Sequence, residues 1–141
     1  MNASRRLAPS RSLAKLQHFR LEEARQALGA SLEREAAARN AEETARAWFA
    51  AEQALAVQIS AAGMPQAWQS WLPRGRARVS AAERAAAEAA KAVASAQEAL
   101  QEAKRALEAT ETLIARCEED IRRNAARAEA QALQALMMRP R

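Results

Sequence analysis

Residues 79–124, VSAAERAAAEAAKAVASAQEALQEAKRALEATETLIARCEEDIRRN, contain neither glycine nor proline and repeat with a period of seven. One line of the repeat is Val79, Ala86, Val93, Leu100, Leu107, Ile114 and Ile121, with Ala128 just beyond it. Three positions later runs a second line, Ala82, Ala89, Ala96, Ala103, Thr110, Cys117 and Asn124. Apolar residues at this spacing form a seam along one side of a helix. Here one edge of the seam is larger and the other is close to methyl size, so a partner backbone can come near and contact by dispersion rather than through bulky knobs. The larger residues concentrate between Leu100 and Ile121, where the grip should be firmest.

Outward from this stretch, the helix is expected over about residues 79–138. Ser80 and Glu83 have the spacing of a capping box at its start, and Pro140 closes its end. Upstream, Gly63, Pro65, Pro73 and Gly75 fall close together and define a turn over about residues 61–78, within which Gln66–Leu72 has room for one or two helical turns. Before that turn only Gly29 interrupts an alanine-rich, Glu/Arg-laced run, which reads as a helix over about residues 9–60, opening at Pro9, Ser10 and Ser12. Two helices of similar length and one short connection imply an all-α fold: a single long two-helix antiparallel coiled-coil hairpin spanning residues 1–141. At ~1.5 Å per residue, arms of about 57 residues predict a strut on the order of 85 Å. With the turn centred near residue 69, Leu100–Ile121 is expected opposite roughly residues 17–38, where Leu21, Leu28 and Leu32 are available. Trp48, Phe49, Leu55 and Ile59 are expected against the alanine-lined part of the seam.

Composition agrees with this architecture. Of 141 residues 41 are alanine, against 3 Gly, 4 Pro, 2 Phe, 3 Trp and no Tyr, which leaves little bulky material for a globular core. The net charge of +5 is unevenly spread: about +4 over residues 1–25, −2 over 26–60, +3 over 61–80, −4 over 81–120 and +4 over 121–141. A chain folded back on itself therefore gathers both ends into one basic pole and carries a second at the turn, each suited to steering an acidic partner. Nucleic acid is the less favoured partner, because arginine alternates with glutamate and no aromatic RNA-reading motif is present. The lone Cys117 cannot staple the fold, which points to a reducing compartment. Arg5, Arg6 and Arg11 are not followed by the apolar core of a secretory signal, and no apolar run approaches the roughly 18 residues of a membrane span.

No set of residues for catalysis stands out. His18 has no second ligand at metal spacing, Cys117 lies on the seam, and Arg74-Gly75-Arg76 lacks the Lys-Ser/Thr of a phosphate loop. The chain reads as non-enzymatic and free of cofactors or metal. Two surfaces remain as candidates for partner binding. The turn carries Met64, Trp68, Trp71 and Leu72, large apolar residues where polar ones are usual, beside Arg74, Arg76 and Arg78. They either plug the end of the hairpin or dock a partner through aromatic anchors rimmed by arginine. The ends carry Arg5, Arg6, Arg11 and Lys15 against Arg122, Arg123 and Arg127, with Leu133, Leu136, Met137 and Met138 following.

The opening run Leu13-Ala-Lys-Leu16-Gln-His-Phe19-Arg20-Leu21-Glu22-Glu23-Ala24-Arg25, with a Trp-bearing turn near the middle of a hairpin of this length, resembles the FliJ/YscO family, stalk proteins of flagellar and injectisome type III secretion. The likeness suits the shorter, alanine-rich injectisome members better. It implies a cytoplasmic protein peripheral to the inner-membrane export apparatus, isolated as a monomeric hairpin, whose terminal pole sits in a hexameric export ATPase and stimulates it. It further implies that the hairpin tip meets the cytoplasmic domain of the export gate, and that export chaperones are additional partners. The residues expected to serve the ATPase are Arg5, Arg6, Arg11, Lys15, Arg122, Arg123 and Arg127; those expected at the gate are Met64, Trp68, Trp71, Leu72, Arg74 and Arg76. The alternative is a self-associating coiled-coil scaffold or an export-chaperone adaptor without an ATPase partner.

Overall fold

The seven-residue line does not stop at Val79. Leu72 stands seven residues before Val79, Gly75 seven before Ala82, and Trp68 seven before Gly75, so the seam runs on through the segment that proline and glycine mark as a turn. The computed structural model, which describes residues 2–59 and 66–140, follows that line. It contains two helices, α1 (Asn2–Ile59) and α2 (Gln66–Met137), and no strand among the described residues. The chain is all-α, with two long helices packed antiparallel as a hairpin.

Both helices start earlier than their local composition suggests. α1 begins at Asn2, not near residue 9, and encloses Pro9; α2 begins at Gln66, not near residue 79, and encloses Pro73 and Gly75. An interior proline removes one backbone donor and costs about 3 kcal/mol. Two features offset that cost. Pro9 and Pro73 are solvent-exposed, as are Arg5 and Gln69, whose carbonyls lose their helical donors, so water can serve them. The seam also extends past each proline, with Ala3 and Leu7 half-buried beyond Pro9, and Trp68, Trp71 and Leu72 half-buried beyond Pro73.

Contacts divide the chain into two units. The first comprises Met1–Ala24 and Leu100–Arg141. Its core is Ala14, Leu21 and Leu107, with Leu100, Ala103 and Ile114 packed against it. Ser10, Thr110 and Cys117 are buried too, and Thr110 settles its hydroxyl by donating to the Ala106 carbonyl at 3.1 Å. Contacts between the helices mark the register: Arg11 meets Glu118 at 3.1 Å, and His18, one heptad on, approaches Glu111 at 3.5 Å, one heptad back. Leu107 therefore faces the Ala14–Leu21 stretch rather than residues farther along α1. Leu32, expected to help grip Leu100–Ile121, is 46% exposed. The shift has one cause: α2 starts earlier, so the fold-back point moves toward the N-terminus.

The second unit, Arg25–Ala99, buries mostly small residues: Ser31, Ala45, Ala56, Gly75, Ala86 and Val93. On α1 its seam includes Glu35 and Glu42, whose side chains are only 15% and 18% exposed and which pair with Arg39 at 3.5 Å and Arg46 at 2.7 Å, one turn on. Arg46 also reaches Glu83 of α2 at 3.1 Å, in the register that Arg11–Glu118 and His18–Glu111 keep. Carboxylates tolerated at seam positions favour a particular partner and register over indiscriminate pairing.

Candidate functional site

The second unit brings together the aromatic residues beside the connection between the helices. Trp71 is the hub. Its ring lies 5.0 Å from that of Trp48 edge-on, 5.6 Å from Phe49 and 4.4 Å from Trp68, the last two stacked. Such ring pairs add about 0.5–1.5 kcal/mol each beyond the area they bury. The Arg78 guanidinium sits 4.6 Å over the Trp48 ring as a cation–π contact. Gly75 makes the cluster possible, because a Cβ there would stand 2.7 Å from Phe49 and 3.1 Å from Trp71. The glycine admits aromatic rings into the seam rather than turning the chain. Trp48 and Phe49 thus pack on Trp71 and Gly75, not on alanine alone, and Leu55 and Ile59 do not pack into the seam, being 50% and 57% exposed.

Two apolar recesses flank Trp68. One, about 370 Å³, is lined by Ala50, Gln53, Ala54, Val57, Trp68 and Leu72. The other, about 290 Å³, is lined by Leu55, Ala56, Ile59, Ala67, Trp68 and Trp71 together with Glu52. Arg74 and Arg76 are exposed. The proposed roles of Trp71 and Trp68 therefore separate: Trp71 holds the cluster, while Trp68 stacks on Trp71 and walls both recesses. Met64 lies outside the described residues.

In the first unit Asn2, Ala3, Asp120, Arg123, Asn124 and Arg127 surround a polar recess of about 290 Å³, so the start of α1 and the basic part of α2 do meet. Several of the cations there are already paired. Glu119 accepts from Arg122 at 2.8 Å and from Arg123 at 3.3 Å, and Glu118 accepts from Arg11 at 3.1 Å. The hydrogen bond from Arg122, with the charges of both arginines, holds the Glu119 carboxyl below the usual carboxylate range. Arg5, Arg6, Lys15 and Arg127 are exposed. From Arg122 to Pro140 every described residue of the chain is exposed, including Leu133, Leu136, Met137 and Met138 at 58%, 64%, 86% and 77%.

Protein-family models, curated proteins and solved structures yield no match to this chain. The candidate surfaces therefore rest on their own chemistry. Among the described residues no three His, Cys, Asp or Glu side chains gather as a metal set, and no helix is long and apolar enough to cross a membrane. What the arrangement offers is recognition: aromatic walls with exposed Arg74 and Arg76 nearby in sequence in one unit, and a polar recess followed by exposed leucine and methionine in the other. The parts of the tip beyond the expected set are Trp48 and Phe49. The signal for them is the continuation of the heptad from Val79 back to Trp68, which places aromatic side chains of both helices at adjoining seam positions.

Proposed function

We propose that this chain is a non-enzymatic central stalk of a type III secretion apparatus, working in the cytoplasm at the inner-membrane export machinery. In this reading the terminal residues, among them Arg5, Arg6, Lys15 and Arg127, enter a hexameric export ATPase, and the Trp68/Trp71 tip meets the cytoplasmic domain of the export gate. The observation that carries it is the antiparallel pairing of two long helices, through leucine and alanine in one unit and mostly small residues in the other, with cations near the chain ends and aromatics beside the helix connection. A pair of helices is thin enough to suit insertion into a ring. Mixed surface charge lets such a protein bear on several ring subunits without adhering to one. Purified chain should raise the hydrolysis rate of a hexameric export ATPase while hydrolysing nothing alone. An unchanged rate together with no binding to the ring refutes the proposal.

The exposed Leu133, Leu136, Met137 and Met138 favour a second reading, a self-associating scaffold or an adaptor that carries export chaperones. Light scattering separates the two: a mass of one chain supports the stalk, and a concentration-dependent dimer supports the scaffold.

A further inference from the structure

We infer that the recess between Trp68 and Val57 is a docking site for an acidic peptide segment of a partner protein, one that carries a leucine- or phenylalanine-sized anchor. The inference rests on the tip-docking half of the proposed function and is independent of the ATPase half.

Three observations converge on that occupant. The recess, of about 370 Å³, is walled by Ala50, Ala54, Val57, Trp68 and Leu72, with Gln53 as its one polar side chain. It therefore takes an apolar anchor. Next, the position across the helices from Arg76 carries no charge. Arg46 pairs with Glu83; one heptad nearer the helix connection the same positions hold Gln53 in place of the arginine and Arg76 in place of the glutamate, so an amide rather than a carboxylate stands opposite the cation. Arg76 is exposed and lies one helical turn beyond Leu72. Finally, no aspartate or glutamate occurs anywhere from Gln53 to Ala82, whereas Arg74, Arg76 and Arg78 do. Arg78 is engaged over Trp48, which leaves Arg74 and Arg76 as the cations on offer. The recess on the other side of Trp68 includes Glu52 and disfavours a carboxylate. Charge complementarity thus selects the Arg76 side and an acidic ligand, and the aromatic wall supplies an anchor site of the kind that dominates peptide recognition.

The test uses the full chain and a labelled amphipathic peptide bearing leucine and phenylalanine at helical spacing with flanking glutamates, followed by anisotropy and by the emission of the three tryptophans, all of which stand in this cluster. The glutamate peptide should bind, and its lysine-for-glutamate counterpart should bind at least about tenfold more weakly. Arg76→Glu should reverse that preference, giving a charge-swap rescue that a structural role would not produce. Trp68→Ala removes the wall. Ala54→Phe fills the recess from an exposed position, so binding should be lost with helicity intact even where Trp68→Ala disturbs packing. Equal binding of both peptides, no effect of Arg76→Glu, or binding confined to phosphatidylglycerol vesicles would overturn the inference. If an isolated export-gate domain binds through the tip while the glutamate peptide does not, the inference falls and the stalk reading stands; if the peptide binds and the gate domain does not, the inference stands and the gate half of the stalk reading falls.

Discussion

Gly75 and Gly29 are both glycines inside helices, yet they predict opposite outcomes on substitution. A Cβ at Gly29 meets nothing within 4 Å, so Gly29→Ala should stabilise the chain by about 1 kcal/mol, the ordinary gain in helix propensity. At Gly75 the same change drives a methyl to 2.7 Å from the Phe49 ring, and overpacking of about 1–3 kcal/mol exceeds that gain. Thermal melts should move up for Gly29→Ala and down for Gly75→Ala, the latter with altered tryptophan emission. Gln17 offers a third case. Its Oε1 is buried on the seam without a hydrogen-bond partner, so Gln17→Leu should raise stability by roughly 1 kcal/mol, since removing an unsatisfied acceptor recovers its desolvation cost. The sequence announces Gly75 as a breaker and says nothing of Phe49 opposite it, because the pairing is set by a residue of the other helix.

For the helices as elements, α2 was readable from its own heptads, whereas α1 was not. Glu35, Glu42 and Glu52 occupy its seam, which hides the period that Ala14, Leu21 and Leu28 begin. Alanine on α2 leaves room for these longer side chains, and arginines one turn on neutralise the first two. At its C-terminal end α2 predicts a tolerance: a chain ending at Arg127 should melt as the full chain does, because residues 128–140 are exposed, and the stalk reading expects it to keep ATPase stimulation, since every residue assigned to the ATPase is retained. Within α2 the Glu119 carboxyl is held down by Arg122. A folded-state value below the unfolded one adds stability that is present above the ordinary carboxylate range and is lost as pH falls through the folded value. By carboxyl-detected NMR, Arg122→Gln should move the Glu119 titration upward toward the ordinary range.

At the scale of the whole molecule, the proposed stalk predicts that light scattering returns the 15.4 kDa of one chain across a wide concentration range. The half-buried Glu35 and Glu42 bear on that outcome, for seam carboxylates penalise pairing with a second copy in any register that strands them. Replacing both with leucine should raise the melting temperature and, by removing that penalty, allow dimers to form. Retention of a strict monomer by the double variant would locate specificity elsewhere. Exposed cations at the chain ends and at the tip further predict that partner binding weakens as salt rises.

Helix class, the α2 seam and the positions of the cations along the chain follow from the sequence by itself, because period and propensity act within a few residues of each other. Where each helix starts, which residues of α1 face Leu107, and that Trp71 gathers Trp48, Phe49 and Trp68 were decided only in the tertiary structure. Pro9, Pro73 and Gly75 each argue locally against helix. Burial of the seam beyond them, which depends on side chains from a helix distant in sequence, supplies more than their local cost, and no short window of sequence contains both terms of that comparison.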